Sequence, residues 1–135
     1  MCPYVTQTTT HTSGVTGETF PIKSVITCTS KNIIYDLWCE KCRNSVAANP
    51  GSDHYVGKTQ NTAAQRFGSH KSDVNMGKIF KPVSEHFIKP GHKKSDMKFL
   101  PFEVVNSNDQ TLLASRESYW IQKKKTYEYG INRRK

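Results

Sequence analysis

Two stretches, NIIYDLWC from Asn32 to Cys39 and DHYVGKT from Asp53 to Thr59, decide the fold that this sequence predicts. Both are rich in β-branched and aromatic residues, which favour β-strands. The segment between them is polar and contains Pro50 and Gly51, residue types that are common in loops. We therefore predict a β-hairpin with a long connecting loop.

The segments that follow predict two helices. Asn61 is a suitable cap for a first helix, which carries Ala63, Phe67 and Val74 on one face and ends near Gly77. A shorter second helix follows Pro82 and ends before Pro90 and Gly91. Its shared face is expected to hold three side chains, Val83, His86 and Phe87.

A third strand and a last helix complete the predicted order ββααβα. The strand is KFLPFEVV, Lys98 to Val105, in which Pro101 favours an edge position or a bulge. Asn108 or Asp109 then caps the last helix. The fold class is therefore α+β, a small domain with a three-stranded, mainly antiparallel sheet flanked by helices.

The N-terminal composition differs from the rest of the chain. Residues 1–19 are rich in Thr, Ser and Gly, with little periodic apolar signal, which is typical of a disordered linker. We expect the folded domain to occupy residues 20–135. Such a start is also typical of a piece cut from a longer polypeptide.

The charge balance is strongly basic. Twenty Lys and Arg against eleven Asp and Glu give a formal net charge of +9, with basic clusters at 123–125 and 133–135. This balance favours a polyanionic partner such as nucleic acid, and the alternative is a solvated basic surface. No apolar run approaches the ~18 residues of a membrane span, and no signal-peptide pattern is present. We expect an intracellular protein that does not enter a membrane.

One carboxylate in the last helix needs a partner. A helical period places Glu117 on the same side as Leu113, Ala114, Trp120 and Ile121, so its charge is expected to face the core. Burying an unpaired carboxylate costs several kcal/mol, so it must be neutralised, ion-paired or bound to a metal ion. The alternative to a functional role is an ordinary ion pair, with Arg116, Lys124 or a lysine at the edge of the core.

Two further pairs suggest phosphate chemistry. Arg66 and His70 are four residues apart on the first helix, so both can reach one bound anion. Tyr35 and Tyr55 each lie in a strand of the hairpin, and a phenol beside a cation can have its pKa lowered enough to act as a general base. The alternatives are a solvated helix edge for the first pair and ordinary cross-strand packing for the tyrosines.

The cysteines and two histidines suggest a separate metal site. Cys39 and Cys42 form a C-x-x-C, and His86 and His92 are separated by five residues, which is close to the ligand spacing of structural zinc sites. Cys28 is the most credible substitute ligand. The alternatives are a redox pair, or buried thiols with surface histidines. With only one close pair and no export signal, the four cysteines are not typical of a secreted disulfide framework.

Several short motifs together resemble a known family. In chain order they are NIIYDL, YVGKT, QRFGSH, RE before WI, and YGIN. This series resembles the GIY-YIG nuclease domain from about Asn32 to Asn132. The form IIY for the first motif, the Cys pair between the tyrosine motifs and the two later histidines are similar to the endonuclease domain of Penelope-like retroelements. The interval between Tyr35 and Tyr55 is longer than in most members.

The resemblance implies a role for each matching residue. Tyr35 would deprotonate or orient the attacking water, with Tyr55 as its partner at the phosphate. Arg66 would bind the scissile phosphate, assisted by His70, and Glu117 would hold one Mg²⁺ or Mn²⁺ ion. Weaker correspondences concern Asn132, which would lie near the site, and Gly57, which would let the backbone approach DNA. The expected DNA contacts are Gly57, Lys58, Arg66, His70, Lys123 and Lys124.

The leading hypothesis is therefore a metal-dependent DNA endonuclease domain that nicks its target, with a structural Zn²⁺ at Cys39, Cys42, His86 and His92. The resemblance further implies linkage to a reverse transcriptase in a longer polypeptide and, in a eukaryote, nuclear localisation. The second hypothesis is a catalytically inactive, zinc-stabilised nucleic-acid-binding module. A zinc-dependent hydrolase ranks last, because four protein ligands leave no open coordination position.

Overall fold

A computed structural model describes residues 9–23, 25–40, 53–77, 81–87 and 96–132. Within these ranges the chain forms five strands and four helices. In chain order they are β1 (Thr10–Thr12), β2 (Thr19–Pro21), β3 (Ile33–Cys39), β4 (Tyr55–Thr59), α1 (Ala63–Asn75), α2 (Pro82–Phe87), β5 (Met97–Val104), α3 (Gln110–Lys124) and α4 (Thr126–Tyr129).

The main sheet has three antiparallel strands in the order β4-β3-β5. In its register Tyr35 lies opposite Gly57 on one side and opposite Pro101 on the other. A register shift between Ile34 and Tyr35 marks a bulge against β5, an edge strand, where a proline that cannot donate a ladder hydrogen bond is tolerated. The predicted α+β class and antiparallel sheet are confirmed.

The sheet has a hydrophobic core on each face, because successive side chains of a strand point to opposite sides. On the first face α1 and α2 pack over a core that includes Tyr35, Leu37, Phe67, Phe87 and Phe99. On the second face α3 packs over a core that includes Ile34, Val56, Phe102, Leu113, Trp120 and Ile121. Neighbouring residues of β3 therefore serve different layers of the molecule.

The N-terminal segment is more ordered than its composition predicts. Strands β1 and β2 pair antiparallel from Thr10 to Pro21, and Phe20 and Ile22 pack against the second core. The Ser13 hydroxyl donates a hydrogen bond of 3.0 Å to the Lys124 carbonyl, which joins this hairpin to the end of α3. The prediction of a disordered linker is wrong for residues 10–19, while residues 1–8 lie outside the described part of the chain.

The helix caps explain where two helices begin. Asp109 caps α3 by accepting a hydrogen bond from the Thr111 backbone N–H at 2.9 Å, as predicted. For α1 the cap is Thr62 rather than Asn61, because Thr62 and Gln65 form a reciprocal capping box.

Among the described residues, no helix combines the length and apolar character needed to cross a membrane.

Candidate active site

Helix α1 brings Arg66 and His70 against the phenol of Tyr35. The Arg66 Nε–H donates to the Tyr35 hydroxyl oxygen at 3.0 Å, and that oxygen lies 2.6 Å from Nε2 of His70. Because a guanidinium can only donate, the phenol accepts from Arg66. The phenol proton is available to Nε2 of His70 in the tautomer that carries the ring proton on Nδ1. The three side chains form one connected network of hydrogen bonds.

Burial sets the protonation states in this chain. Tyr35 is fully buried, and this burial, together with Tyr55, raises the pKa of its phenol above the ordinary value of 10.0, although Arg66 opposes the shift. Burial and the nearby Arg66 charge lower the pKa of His70 to about 3. Both groups are therefore neutral at pH 7. Arg66 alone does not lower the phenol pKa of Tyr35, because loss of hydration outweighs the neighbouring cation; lowering by a metal-bound water stays a prediction.

Gly57 makes room for the Tyr35 hydroxyl. A Cβ atom at Gly57 would lie 2.4 Å from the Tyr35 hydroxyl oxygen and 2.8 Å from Cε2 of Tyr55, which is closer than any real contact. The half-buried Tyr55 lies beside the same hydroxyl group. Its ring centroid is 6.3 Å from that of Tyr35 and 5.9 Å from that of His70. The structure thus gives the glycine a steric role inside the protein, and its predicted role in DNA approach stays a prediction.

Glu117 lies within electrostatic range of the same phenol. Its negative charge contributes to the raised pKa of Tyr35, after the larger effects of burial and Tyr55. Glu117 is half-buried, although by helical period it belongs to the buried stripe of Leu113, Trp120 and Ile121. Ala114, expected on that face, is exposed. The carboxylate is therefore partly accessible on a helix side that is otherwise largely buried.

The two named basic alternatives for Glu117 are engaged with other carboxylates. Arg116 forms two hydrogen bonds of 2.7 Å to Glu103, and Lys124 binds Asp36. The alternative of an ordinary ion pair for Glu117 stays open. By contrast, His70 is 5 % exposed, so the alternative of a solvated helix edge is wrong for that residue.

A buried ion pair joins α3 to the central strand. Lys124 Nζ lies 2.5 Å from Asp36 Oδ2, and the two side chains are 1 % and 4 % exposed. The ammonium also lies 4.2 Å from the centroid of the Phe102 ring. Burial lowers the pKa of Lys124, and Asp36 opposes this shift. The prediction that Lys124 contacts DNA is wrong, because this side chain is enclosed by the second core.

Sequence reasoning missed this pair, although two signals were present. Asp36 is a charged residue within an otherwise apolar strand, and Lys124 continues the stripe of Leu113, Trp120 and Ile121 along α3. Two opposite charges on inward-facing positions are expected to meet, because neither is tolerated alone in a core.

Asn132 holds strand β4 in place. Its side-chain oxygen accepts from the Val56 N–H at 2.9 Å and its amide donates to the Val56 carbonyl at 2.9 Å. The backbone N–H of Ile131 also donates to the His54 carbonyl at 2.7 Å. Val56 lies between Tyr55 and Gly57, so Asn132 positions the strand that carries both. The structure therefore gives Asn132 a role in supporting this strand. Its predicted part in catalysis stays a prediction.

The remaining predicted DNA contacts differ in accessibility. Lys58 is half-buried, and the alternation of β4 places it on the face of Val56 rather than that of Gly57. Lys123 is exposed, with its ammonium 3.9 Å from Glu18. Contacts of these two lysines with DNA stay predictions.

The predicted zinc site is only partly covered by the structure. Cys39 is buried in β3 and His86 is half-buried on α2, whereas Cys42 and His92 lie outside the described residues. Cys28 is disulfide-bonded, which removes it as a substitute thiolate ligand. Within those ranges, no group of three or more His, Cys, Asp or Glu side chains could hold a metal ion. The zinc site therefore stays a prediction.

Most of the chain matches the model of a known protein family. The family model described as the GIY-YIG catalytic domain matches residues 26–132. This range includes the hydrogen-bonded chain of Arg66, Tyr35 and His70, as well as Glu117 and Asn132. Curated proteins gave no significant match, and solved structures gave none.

Proposed function

The chain belongs to the GIY-YIG catalytic domain family, and from this membership we propose that it is a metal-dependent DNA endonuclease. The family implies a nuclease that hydrolyses phosphodiester bonds in DNA. The observation that carries the proposal for this protein is the hydrogen-bond network that joins Tyr35 to Arg66 and His70, together with the electrostatic effect of Glu117 on the Tyr35 phenol.

Arg66 is the group suited to the scissile phosphate. It is half-buried, and the bond from its Nε to Tyr35 fixes the plane of the guanidinium. A guanidinium fixed in this way keeps its terminal amino groups in one orientation, which suits two parallel hydrogen bonds to phosphate oxygens. Its charge would stabilise the negative charge that develops on those oxygens in the transition state.

Tyr35 and His70 supply a path for one proton. As the water oxygen bonds to phosphorus, the bond from phosphorus to the leaving sugar oxygen breaks, and that oxygen takes a proton from solvent water. One proton of the attacking water passes to the Tyr35 oxygen, and the phenol's own proton passes to Nε2 of His70, with His70 in its Nδ1–H form. Tyr35 then never needs to exist as a phenolate, which its raised pKa disfavours. A bound phosphodiester would offset the charge of Arg66 that lowers the pKa of His70, so substrate binding makes His70 a better acceptor.

Water must first reach the buried Tyr35 hydroxyl. Gly57 and Tyr55 lie beside that hydroxyl, and Tyr55 is the partly exposed member. We propose that DNA binding moves the Tyr55 ring enough to admit the attacking water and the phosphate.

Glu117 is our candidate for holding the divalent ion that the family generally uses. Mg²⁺ keeps several waters and binds proteins through one or two carboxylates plus substrate phosphates, so the half-buried carboxylate of Glu117 suits it. Mg²⁺ or Mn²⁺ held by Glu117 would supply Lewis-acid stabilisation of charge on the phosphate.

The wider setting is proposed on the resemblance of the motifs. The IIY form of the first motif and the added Cys and His residues favour the endonuclease domain of a Penelope-like retroelement, joined to a reverse transcriptase and nuclear in a eukaryote. The same residues favour structural Zn²⁺ at Cys39, Cys42, His86 and His92. Metal analysis of the purified protein tests the zinc site, which requires about one bound Zn²⁺ per chain.

Plasmid nicking tests the proposed reaction. With Mg²⁺ or Mn²⁺ present, Glu117→Ala and Tyr35→Phe are each expected to slow nicking at least about 100-fold, the range of a lost acid–base or charge-stabilising group. Glu128→Ala removes an exposed carboxylate from α4 and serves as the matched control, with nicking unchanged. Cleavage that survives both substitutions rejects the mechanism. Absence of cleavage together with salt-sensitive DNA binding favours the inactive binding module.

A further inference from the structure

A hollow lies on the face of the sheet opposite Tyr35. It has a volume of about 290 Å³ and is lined by the N-terminal hairpin, β5 and α3. Its lining combines aromatic and charged side chains: His11, Phe20, Phe102, Tyr119 and Trp120 with Lys23, Glu103 and Arg116. We infer that this hollow binds one nucleobase of a single-stranded DNA segment, a contact separate from the phosphate site around Arg66.

The aromatic walls are held in fixed positions. His11 stacks on Phe102 with ring centroids 4.0 Å apart and planes 13° apart, and Trp120 meets Phe102 edge-on at 5.1 Å. Trp120 is also fixed by a 3.2 Å hydrogen bond from its Nε1 to Glu103. Rings that are already ordered lose little conformational freedom when a base stacks on them or against their edges.

The rim presents a flat, exposed stacking surface. Tyr119 is 47 % exposed, and the guanidinium carbon of Arg116 lies 4.7 Å from the centroid of its ring. Arg116 is held in turn by its two hydrogen bonds to Glu103. Unstacked bases in protein complexes commonly stack on aromatic rings and on guanidinium planes.

Charge favours a nucleotide over a neutral apolar ligand competing for the same volume. The negative charge of Glu103 is matched by Arg116, while Lys23 adds a positive charge at the hollow. Lys123 lies 5.9 Å from the Phe20 ring, with Glu18 3.9 Å from its ammonium to offset its charge. A base that is linked to phosphates therefore finds stacking inside the hollow and cations around it.

Size and pairing restrict the occupant further. A hollow of about 290 Å³ is at the lower end of small-molecule sites and suits one base, not a folded element. A base reaches such a hollow only when it is unpaired, so the strand bound there must be single-stranded or locally opened. The inference extends the proposed function, because α3 carries Glu117 as well as Arg116 and Tyr119.

Binding measured without added Mg²⁺ or Mn²⁺ tests the hollow without cleavage and leaves the proposed structural Zn²⁺ in place. Fluorescently labelled oligothymidylate is compared with an abasic oligonucleotide of equal length and charge. The abasic strand is expected to bind about tenfold more weakly, within the range for one stacked base. Tyr119→Ala should weaken oligothymidylate about tenfold and leave the abasic strand unchanged, and Tyr119→Phe should restore binding. Tyr129→Ala, at a tyrosine outside the hollow with 57 % exposure, should bind like the unaltered protein.

Several outcomes would overturn the inference. Equal affinity for the two strands would show binding by phosphates alone. A Tyr119→Ala loss that is the same for both strands, or an aromatic peptide that binds the hollow more tightly than the oligonucleotide, would also reject it. Failure of the proposed nuclease is distinguishable, because Glu117→Ala should abolish nicking and leave the base-dependent binding intact. Base-dependent binding by a chain that never nicks supports the hollow and rejects the nuclease.

Discussion

Replacing Asp36 by Asn removes the partner of a lysine that is almost completely enclosed. Asp36 and Lys124 are 4 % and 1 % exposed and lie 2.5 Å apart, so the ammonium cannot turn to water when the carboxylate charge is lost. The side chain of Asn has nearly the same shape as that of Asp. The change therefore tests charge rather than packing.

Two values set the expected loss in the free energy of unfolding. Breaking a buried pair by removing one partner typically costs about 3–5 kcal/mol. The second value comes from release of the ammonium proton, which from an ordinary pKa of 10.5 to pH 7 costs about 5 kcal/mol at 1.36 kcal/mol per pKa unit. We therefore expect Asp36→Asn to lower the free energy of unfolding by about 3–5 kcal/mol, a large part of the total for a domain of this size.

The pH dependence identifies the cause of this loss. Without Asp36 the pKa of Lys124 in the folded protein falls further below its unfolded value, so the unfolded state binds more protons between the two values. The unfolding free energy of the variant should therefore rise with pH between about 7 and 10, by at most about 1.4 kcal/mol per pH unit. Urea unfolding monitored by tryptophan fluorescence measures this rise.

Two further variants complete the experiment. The double variant Asp36→Leu with Lys124→Met removes both charges and should recover stability to within about 1–2 kcal/mol of the unaltered protein. Glu18→Gln breaks the exposed pair with Lys123, whose side chains are 52 % and 41 % exposed, and should cost less than about 1 kcal/mol. A loss for Asp36→Asn below about 1 kcal/mol, or a loss that does not change with pH, would refute the reasoning.

Two other predictions concern the active site and acid stability. Gly57→Ala should reduce nicking at least about tenfold, because the added Cβ atom would displace the Tyr35 hydroxyl from its hydrogen bonds. The control is Gly68→Ala, which should leave nicking unchanged, because a Cβ atom on this helical glycine would have no neighbour within 4 Å. Burial lowers the pKa of His11 and of His70 to about 3, so the unfolded state binds more protons between about pH 3 and 6.5 and stability falls as pH drops through this window. At pH 5 each histidine should lower the unfolding free energy by about 2 kcal/mol, and His11→Phe should remove about half of the total effect; equal stability at pH 5 and 7 would contradict this account.

The elements with strong local patterns could be predicted from sequence. The β-branched runs of β3 and β4, the cap at Asp109 and the edge position of Pro101 each follow from a few neighbouring residues. The hairpin at 10–21 could not be predicted in this way, since three-residue strands made largely of Thr are too short to show an alternating pattern. It is held by contacts with α3, which is about a hundred residues distant in the chain.

In the candidate site, too, some features follow from local sequence and others depend on distant contacts. Helical spacing predicted that Arg66 and His70 share an edge, and the structure joins both to Tyr35. Which carboxylate pairs with Lys124, and in which direction the phenol pKa moves, depend on burial and on distances between separate elements. Those quantities are set by the packing of the whole domain, so no local pattern contains them.

The double hydrogen bond between Asn132 and Val56 has a consequence for how copies of this protein behave in solution. Strand β4 is an outer strand, and an outer strand with open N–H and C=O groups can recruit a strand from another molecule and start aggregation. Asn132 and Ile131 occupy those groups at Val56 and His54. The segment after α4 therefore covers part of the outer edge of β4, which reduces the opportunity for a strand of another molecule to pair there.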